Sequence, residues 1–303
     1  MSQSDELVAK IYESEISPQT KQNYISRFRT LLKLVDGKTL VYVLQHPDIY
    51  IKKFHEWFPK DGTFKAYVSA ILGIFRYNRE LELKHAAAHK KWAAAFKIAD
   101  DAVTKRYETN LPSDKQVKGY VPYDDIIKAR DTQPKGSIRR VLLGMYTHLK
   151  PMRCEYARCA LYETTVPAEP EMNYILLSQG RLIIKQFKTR KFHEGYDLLL
   201  PKPLMADITA SLDNHPRTWL FTKMDGEPFT NAAFSSWATR EFNATFGKPL
   251  TVALIRHAFV NSLDFNALSI QEKNEISHQM GHTTATQDKY RLLFNKPPPA
   301  APP

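Results

Sequence analysis

Two cysteines in a chain of 303 residues are too few for a disulfide framework. Cys154 and Cys159 lie five apart in one segment, a spacing that by itself suits neither a bridge nor a zinc site. They read as reduced thiols, which points to an intracellular chain. Long apolar runs are missing too: none approaches the ~18 residues of a membrane-spanning helix. The opening MSQSDELVAK is polar and acidic, unlike a secretory signal. No internal repeat is visible. Acidic residues are the minority charge, 32 Asp and Glu against 43 Lys and Arg, giving a net charge of +11 and a pI near 9.4. That excess indicates a polyanionic partner. Basic clusters recur at Lys52-Lys53, Lys90-Lys91, Lys105-Arg106, Arg139-Arg140 and from Lys188 to Lys191. Each alone is an ordinary solvated face; together they suit a protein that wraps a duplex.

What is present is an ordinary globular composition, 43% hydrophobic, with length for two domains and a sizeable core. The pattern predicts an all-helical unit over residues 1–105. Ser17-Pro18 is a cap followed by a first-turn proline. Tyr24, Ile25, Phe28, Leu31, Leu32 and Val35 then share a helical face, ended by Asp36-Gly37. A second helix is expected from Pro47 to Phe58. A third is expected after a Thr63 cap, with Phe64, Tyr67, Ile71, Leu72 and Phe75 as its stripe, and a fourth that includes His85 to Phe96. Asp100-Asp101, Asn110, Pro112, Ser113 and Gly119 break the periodicity, so 106–119 reads as a linker.

The remainder, 120–294, reads as mainly helical with a small antiparallel sheet, an α+β class. IRRVLLGMYTHLKPMRCEYARCALYE is a helix-like apolar segment reaching Arg153. MNYILLSQGRLIIKQFKTRKFHEGYDLLLP reads as three short strands with turns at Ser178-Gln179-Gly180 and His193-Glu194-Gly195. Thr230 caps a helix through Phe246, stopped by Gly247. Ser269 with Glu272 makes a capping box, and Gly281 ends that helix. The final 295–303 is a proline-rich tail, expected to be extended.

Chemistry enters through spacing. A lone helical tyrosine usually packs, and a lone Arg-His pair is usually solvated. Here Arg256-His257, then Gly281-His282, then Tyr290 follow in order. Upstream, Arg153 is trailed by Glu155, whose carboxylate could hold a guanidinium in a fork. Lys188 lies in the strand region between the two arginines, with Lys185 and Lys191 as solubilising neighbours. Arginines, a histidine and a tyrosine in a basic protein suggest phosphate chemistry with a tyrosine nucleophile.

This ordered set resembles the tyrosine recombinase (phage-integrase-like) family. Pro151-Met152-Arg153-Cys154-Glu155-Tyr156 resembles a form found in recombinases of eukaryotic viruses and mobile elements. The motifs span roughly 120–292; the N-terminal unit matches in layout only, as a core-binding domain that grips DNA. The resemblance implies a site-specific recombinase or integrase that cleaves and rejoins double-stranded DNA through a 3′-phosphotyrosine. Arg153, Lys188, Arg256, His282 and Tyr290 would be catalytic, with His257 and Glu155 supporting. It implies no cofactor, metal or ATP, a tetramer on two DNA sites, and an intracellular location with DNA. The family's usual His-x-x-Arg motif departs here: Ala253 stands in the histidine's place, with His257 one turn along the same helix face.

Other readings predict different behaviour. A type IB topoisomerase shares the active-site chemistry but relaxes supercoils as a monomer. A DNA-binding protein that kept the fold and lost activity draws its support from Ala253. His278 and His282 are spaced as in zinc proteases, yet Gln279 replaces the required glutamate. His85 and His89 share a face, with no acidic or cysteine partner expected nearby.

Overall fold

The computed structural model describes residues 3–165, 172–190 and 194–294. Lys191, the His193 end of the expected second turn and the proline-rich tail 295–303 lie outside them. The chain divides into two compact units, Met1–Thr109 and Asn110–Pro303.

The first unit holds seven helices among the described residues: α1 (Gln3–Glu13), α2 (Pro18–Leu34), α3 (Leu40–Gln45), α4 (Pro47–Trp57), α5 (Asp61–Tyr77), α6 (Arg79–Lys84) and α7 (Ala86–Glu108). Four were expected; α3 and α6, at six residues each, are too short to show a stripe, whereas α1, as long as α4, buries Leu7 and Ile11 one turn apart. Ser17 caps α2 by accepting from Thr20 N, and Asp36 and Gly37, both at positive φ, turn the chain out of it. Thr63 is no cap: α5 begins two residues earlier, behind an extended Lys60. The last helix runs twelve residues past Phe96, because the acidic and basic residues after it are spaced for helical pairing, as Lys97 with Asp101. A core of Phe28, Leu31, Phe54, Phe64, Ile71, Phe75 and Trp92 fills the unit, with Trp92 Nε1 donating to Leu44 O at 3.1 Å.

The second unit opens with α8 (Asp114–Gly119), α9 (Tyr123–Thr132) and α10 (Ile138–Thr147). The stretch 106–119, read as a linker, is therefore largely helical: Ser113 and Gln116 form a capping box that pins α8. The reading of a helix-like segment reaching Arg153 is also corrected. Pro151 has no N–H and restricts Lys150, so α10 stops at Thr147. A single 3-10 turn (Glu155–Arg158) follows, and then β1 (Cys159–Tyr162). The three expected strands are β2 (Asn173–Leu176), β3 (Arg181–Ile184) and β4 (Tyr196–Leu199). β2–β3–β4 are antiparallel as expected, while β1 adds a parallel edge, with Cys159 opposite Asn173. The sheet is thus mixed. β1 was hidden because CALY is too short to separate strand from helix by period.

Helices α11 (Lys202–Asn214), α12 (Asn231–Phe246), α13 (Val252–Ser262), α14 (Ile270–Gln279) and α15 (Thr284–Asp288) complete the unit. The predicted caps stand: Thr230 on α12 with Gly247 left-handed at its end, and the Ser269/Glu272 box on α14. Tyr146, Tyr156, Phe234, Phe242, Ile255 and Leu182 share one core. The cluster Arg139-Arg140 belongs to this scaffold. Arg139 pairs with Glu241 at 2.7 Å, and Arg140 pairs with buried Asp207 at 2.7 Å while donating to the carbonyls of Asp131 and Gln133. No helix is long and apolar enough to cross a membrane among the described residues.

Candidate active site

Arg256 is the centre of the site. It lies on α13, whose Val252, Leu254, Ile255, Ala258 and Val260 are buried, so a residue in this run faces inward with them. The side chain is 1% exposed, and a guanidinium so placed must have its donors matched. They are. Nη1 donates to Pro151 O at 2.5 Å, and Nη2 donates to Met280 O and to His282 Nδ1, each at 3.0 Å. Nε and Nη2 both reach the Tyr290 phenol oxygen at 3.3 Å. Pro151, which stops the preceding segment from continuing as a helix, thereby supplies an acceptor to the site.

Arg153 follows Pro151 by two residues. Its carbonyl accepts from the buried Tyr146 hydroxyl at 2.7 Å, which ties this stretch to α10. Its Nη1 donates to Gly281 O at 3.0 Å. Gly281 has φ +68 at the end of α14, and a Cβ there would come within 3.3 Å of Arg153 Nη1. The glycine both ends the helix and lets the guanidinium approach its backbone.

His282 is 4% exposed and stacks on the Tyr290 ring at 5.0 Å. Because Nδ1 accepts from Arg256, the ring proton belongs on Nε2, a buried nitrogen with no hydrogen-bond partner in the protein. Burial first, then the positive charges of Arg256 and Arg153, hold its pKa down to about 3. His282 is therefore a neutral donor, ready for an anionic oxygen. Tyr290 follows α15 in a turn. Burial works against its ionisation, but the two guanidiniums, by charge and by hydrogen bonds from both, outweigh it and hold the phenol below its ordinary value.

Of the supporting residues, Glu155 does not hold a guanidinium in a fork: it forms no ion pair with Arg153 among the described residues. Its buried carboxylate takes the backbone N–H groups of Glu155 and Arg153 and leaves Oε2 without a partner. Burial raises its pKa, against those bonds and the two arginines. His257 turns away from the clamp: Nδ1 lies 2.7 Å from Tyr290 O, holding the main chain of the tyrosine. Burial, foremost, lowers its pKa and keeps it neutral. Ala253 is exposed on α13.

Lys188 is exposed in the β3–β4 loop, beside Thr189, whose hydroxyl donates to Gly281 O at 3.1 Å. The loop is thus fastened to the carbonyl that Arg153 also holds. A residue missed from sequence explains how the loop starts there. Asn173, 3% exposed on β2, donates to Glu155 O and Gln186 O at 2.8 and 2.9 Å. It accepts from the N–H groups of Lys185 and Gln186 at 2.8 and 2.7 Å. One buried amide thus joins the Arg153 segment to the Lys188 loop. An asparagine inside an apolar strand run was the available signal, since such a residue must find partners. The histidine pairs do not form metal sites of three or more ligands among the described residues. His278 meets the Tyr196 ring edge to face, and His89 Nδ1 faces Glu82 at 3.6 Å, an acidic neighbour that the spacing did not reveal. Both cysteines are free, and burial raises Cys154 to about 11.

No family model matches the sequence, and no curated protein matches it. Solved structures do. A lambda integrase dimer bound to a COC' core site is similar over 95% of this chain and 75% of that one, with a TM-score of 0.60 at 14% identity. A lambda integrase(75-356) dimer bound to a COC' core site is similar over 95% of this chain and 93% of that one, with a TM-score of 0.55 at 15% identity. XerA recombinase matches over 97% of this chain and 95% of its own, with a TM-score of 0.42 at 14% identity. The fold of this chain is that of the lambda integrase structures, two-domain, mostly helical with a small sheet.

Proposed function

We propose that this chain is a tyrosine recombinase that cleaves and rejoins double-stranded DNA through a 3′-phosphotyrosine. The observation that carries the reading is the phenol oxygen of Tyr290 held by two guanidiniums beside a neutral histidine donor. A phosphodiester is anionic and repels a phenolate until it is neutralised. Arg153 and Arg256 supply that neutralisation and stabilise the charge that grows on the nonbridging oxygens. His282 Nε2–H adds a third donor. Tyr290 gives its proton to solvent and its oxygen attacks phosphorus; the bond from phosphorus to the 5′ oxygen breaks, and Lys188 protonates that oxygen. The phosphate bond is kept in the intermediate, so rejoining needs no ATP, and the arginines do what a metal would otherwise do.

The partner is double-stranded DNA, with protomers assembling as a tetramer on two sites. Pro151 to Tyr156 favours a relation to recombinases of eukaryotic viruses and mobile elements, acting inside the cell with DNA. Residues 1–105 act as the core-binding domain and 120–294 as the catalytic domain. Ala253 favours a second reading, a DNA-binding protein of this fold with impaired catalysis. A type IB-like relaxing enzyme shares the same site chemistry. A duplex nicked near the cleavage point, which traps the adduct, separates catalysis from binding alone. Wild type is expected to form a covalent protein–DNA adduct, and Tyr290→Phe none while still binding DNA. An adduct at wild-type level in that variant sinks the assignment of the nucleophile.

A further inference from the structure

The segment carrying Tyr290 ends in short, irregular structure, and four contacts hold it to the first residues of the second unit. Leu293 N donates to Asn110 O at 2.9 Å. The Tyr120 ring lies 4.1 Å from that of Phe294. Tyr120 also shares a side-chain hydrogen bond with Asn261, whose amide pairs with both the N–H and the carbonyl of Leu292 at 2.9 Å. The fourth contact runs to the tyrosine itself. Gln116 Nε2 lies 3.5 Å from His257 Nε2, and His257 Nδ1 lies 2.7 Å from Tyr290 O. The directions agree. The Gln116 Oε1 is occupied in the α8 cap by Ser113 N, which leaves its N–H groups to face the ring. A donor at Nε2 fixes the imidazole proton on Nδ1, where it bonds the tyrosine carbonyl.

We propose that Gln116, acting through His257, is a positioning residue for Tyr290, and that residues 110–120 brace the main chain that presents the nucleophile. The hydrogen bonds of His257, Asn261 and Asn110 go to the main chain from Tyr290 to Leu293 and not to the phenol oxygen; they set where the phenol stands. The inference rests on the reading of Tyr290 as nucleophile. It also gives His257 a task distinct from that of the histidine absent at Ala253. The stretch just past the boundary between the two units is thereby wired to the reacting residue, so a pull on it is felt at the phenol.

The test uses the full chain and a nicked duplex, with adduct rate in a single turnover and duplex affinity measured separately. Hydrogen exchange of the 290–293 amides is followed on the free protein. Gln116→Ala and His257→Ala should slow adduct formation by about ten- to hundredfold, the scale of a misplaced reacting group. Duplex affinity should hold, and exchange at 290–293 should rise. The two substitutions should be non-additive, since they cut one chain of contacts. His257→Asn, whose amide nitrogen can take the place of Nδ1, should recover much of the rate. Gln116→Glu should add a new ionisation to the pH profile of adduct formation, because a carboxylate there is served only by a protonated ring that donates from both nitrogens. Wild-type rate and exchange in Gln116→Ala, additive losses, or no recovery by His257→Asn would overturn the brace. Absence of adduct with the wild-type protein overturns the nucleophile reading instead, while exchange at 290–293 still decides the brace.

Discussion

A guanidinium that is 1% exposed and donates to two main-chain carbonyls cannot be removed without leaving those carbonyls unpaired. Arg256→Ala should therefore lose both rate and stability: about 10²–10³ in cleavage and roughly 2–4 kcal/mol by denaturation. Arg153 is half-buried with one such bond, so Arg153→Ala should lose a similar factor in rate and less than about 1.5 kcal/mol in stability. Equal stability losses in the two variants would show that Arg256 is less committed to the scaffold than its contacts imply. His282 gives a pH signature. Its native pKa is about 3 and its unfolded one is near the ordinary 6.5. Between those values the unfolded chain binds the proton and the native site does not. Stability is therefore full above about pH 6.5 and falls as pH drops toward 3, with a slope of up to about 1.4 kcal/mol per pH unit from this group. His282→Gln should flatten that part of the curve in denaturation measured across pH. That Arg256, His282 and Tyr290 would meet was legible in sequence because their order and spacing are peculiar. Whether His257 faced the clamp or the backbone was not, since residues one turn apart on a helix share a face without sharing a partner. Ala253 is exposed on that face, so Ala253→His should enter without clash and leave adduct formation equal or faster. A large fall would mean that the position is not the vacant one.

At the scale of elements, short pieces were the hardest to read and do much of the placing. Helices α2, α12 and α14 announced themselves by caps and by stops at Asp36-Gly37, Gly247 and Gly281. Strand β1 and helix α8, at four and six residues, are shorter than the window that periodicity needs. The Lys188 loop is held by hydrogen bonds from Asn173 and Thr189, which no pattern of apolar residues encodes. Asn173→Ala should leave the carbonyls of Glu155 and Gln186 and the N–H groups of Lys185 and Gln186 without their partner. Those near the surface regain water, so a loss of about 2–4 kcal/mol is expected. Cleavage should fall beyond what DNA affinity explains, because Lys188 is no longer anchored. A duplex whose 5′ leaving oxygen is replaced by sulfur needs no proton from Lys188. If the loop acts through that lysine, the variant's defect in cleavage should largely vanish on the sulfur duplex. An undiminished defect would place the effect of Asn173 on Arg153 through Glu155 O.

Over the whole molecule the positive charge is shared. Residues 1–109 hold 18 Lys and Arg against 13 Asp and Glu, and 110–303 hold 25 against 19. A partner met by both units makes many phosphate contacts, and affinity should fall by about 10³–10⁵ between 50 and 200 mM salt if six to ten are made. The residues of the proposed chemistry, in contrast, all lie in one unit of one chain. Arg153, Arg256 and His282 surround the same phenol oxygen and ring, and His257, Asn261 and Asn110 fasten the main chain at Tyr290 and just after it. On the proposed reading, a protomer so arranged carries its own nucleophile into its own clamp. Cleavage should then be first order in bound protein, even where rejoining between duplexes takes several protomers. Mixing decides the matter. Arg256→Ala keeps Tyr290 but lacks the clamp, and Tyr290→Phe keeps the clamp but lacks the nucleophile. If each chain cleaves with its own tyrosine, the mixture on a nicked duplex should yield no more adduct than the sum of the two alone. Restored cleavage would mean that on DNA the segment after α15 leaves its bonds to Asn110, Asn261 and His257 and is delivered to a neighbour.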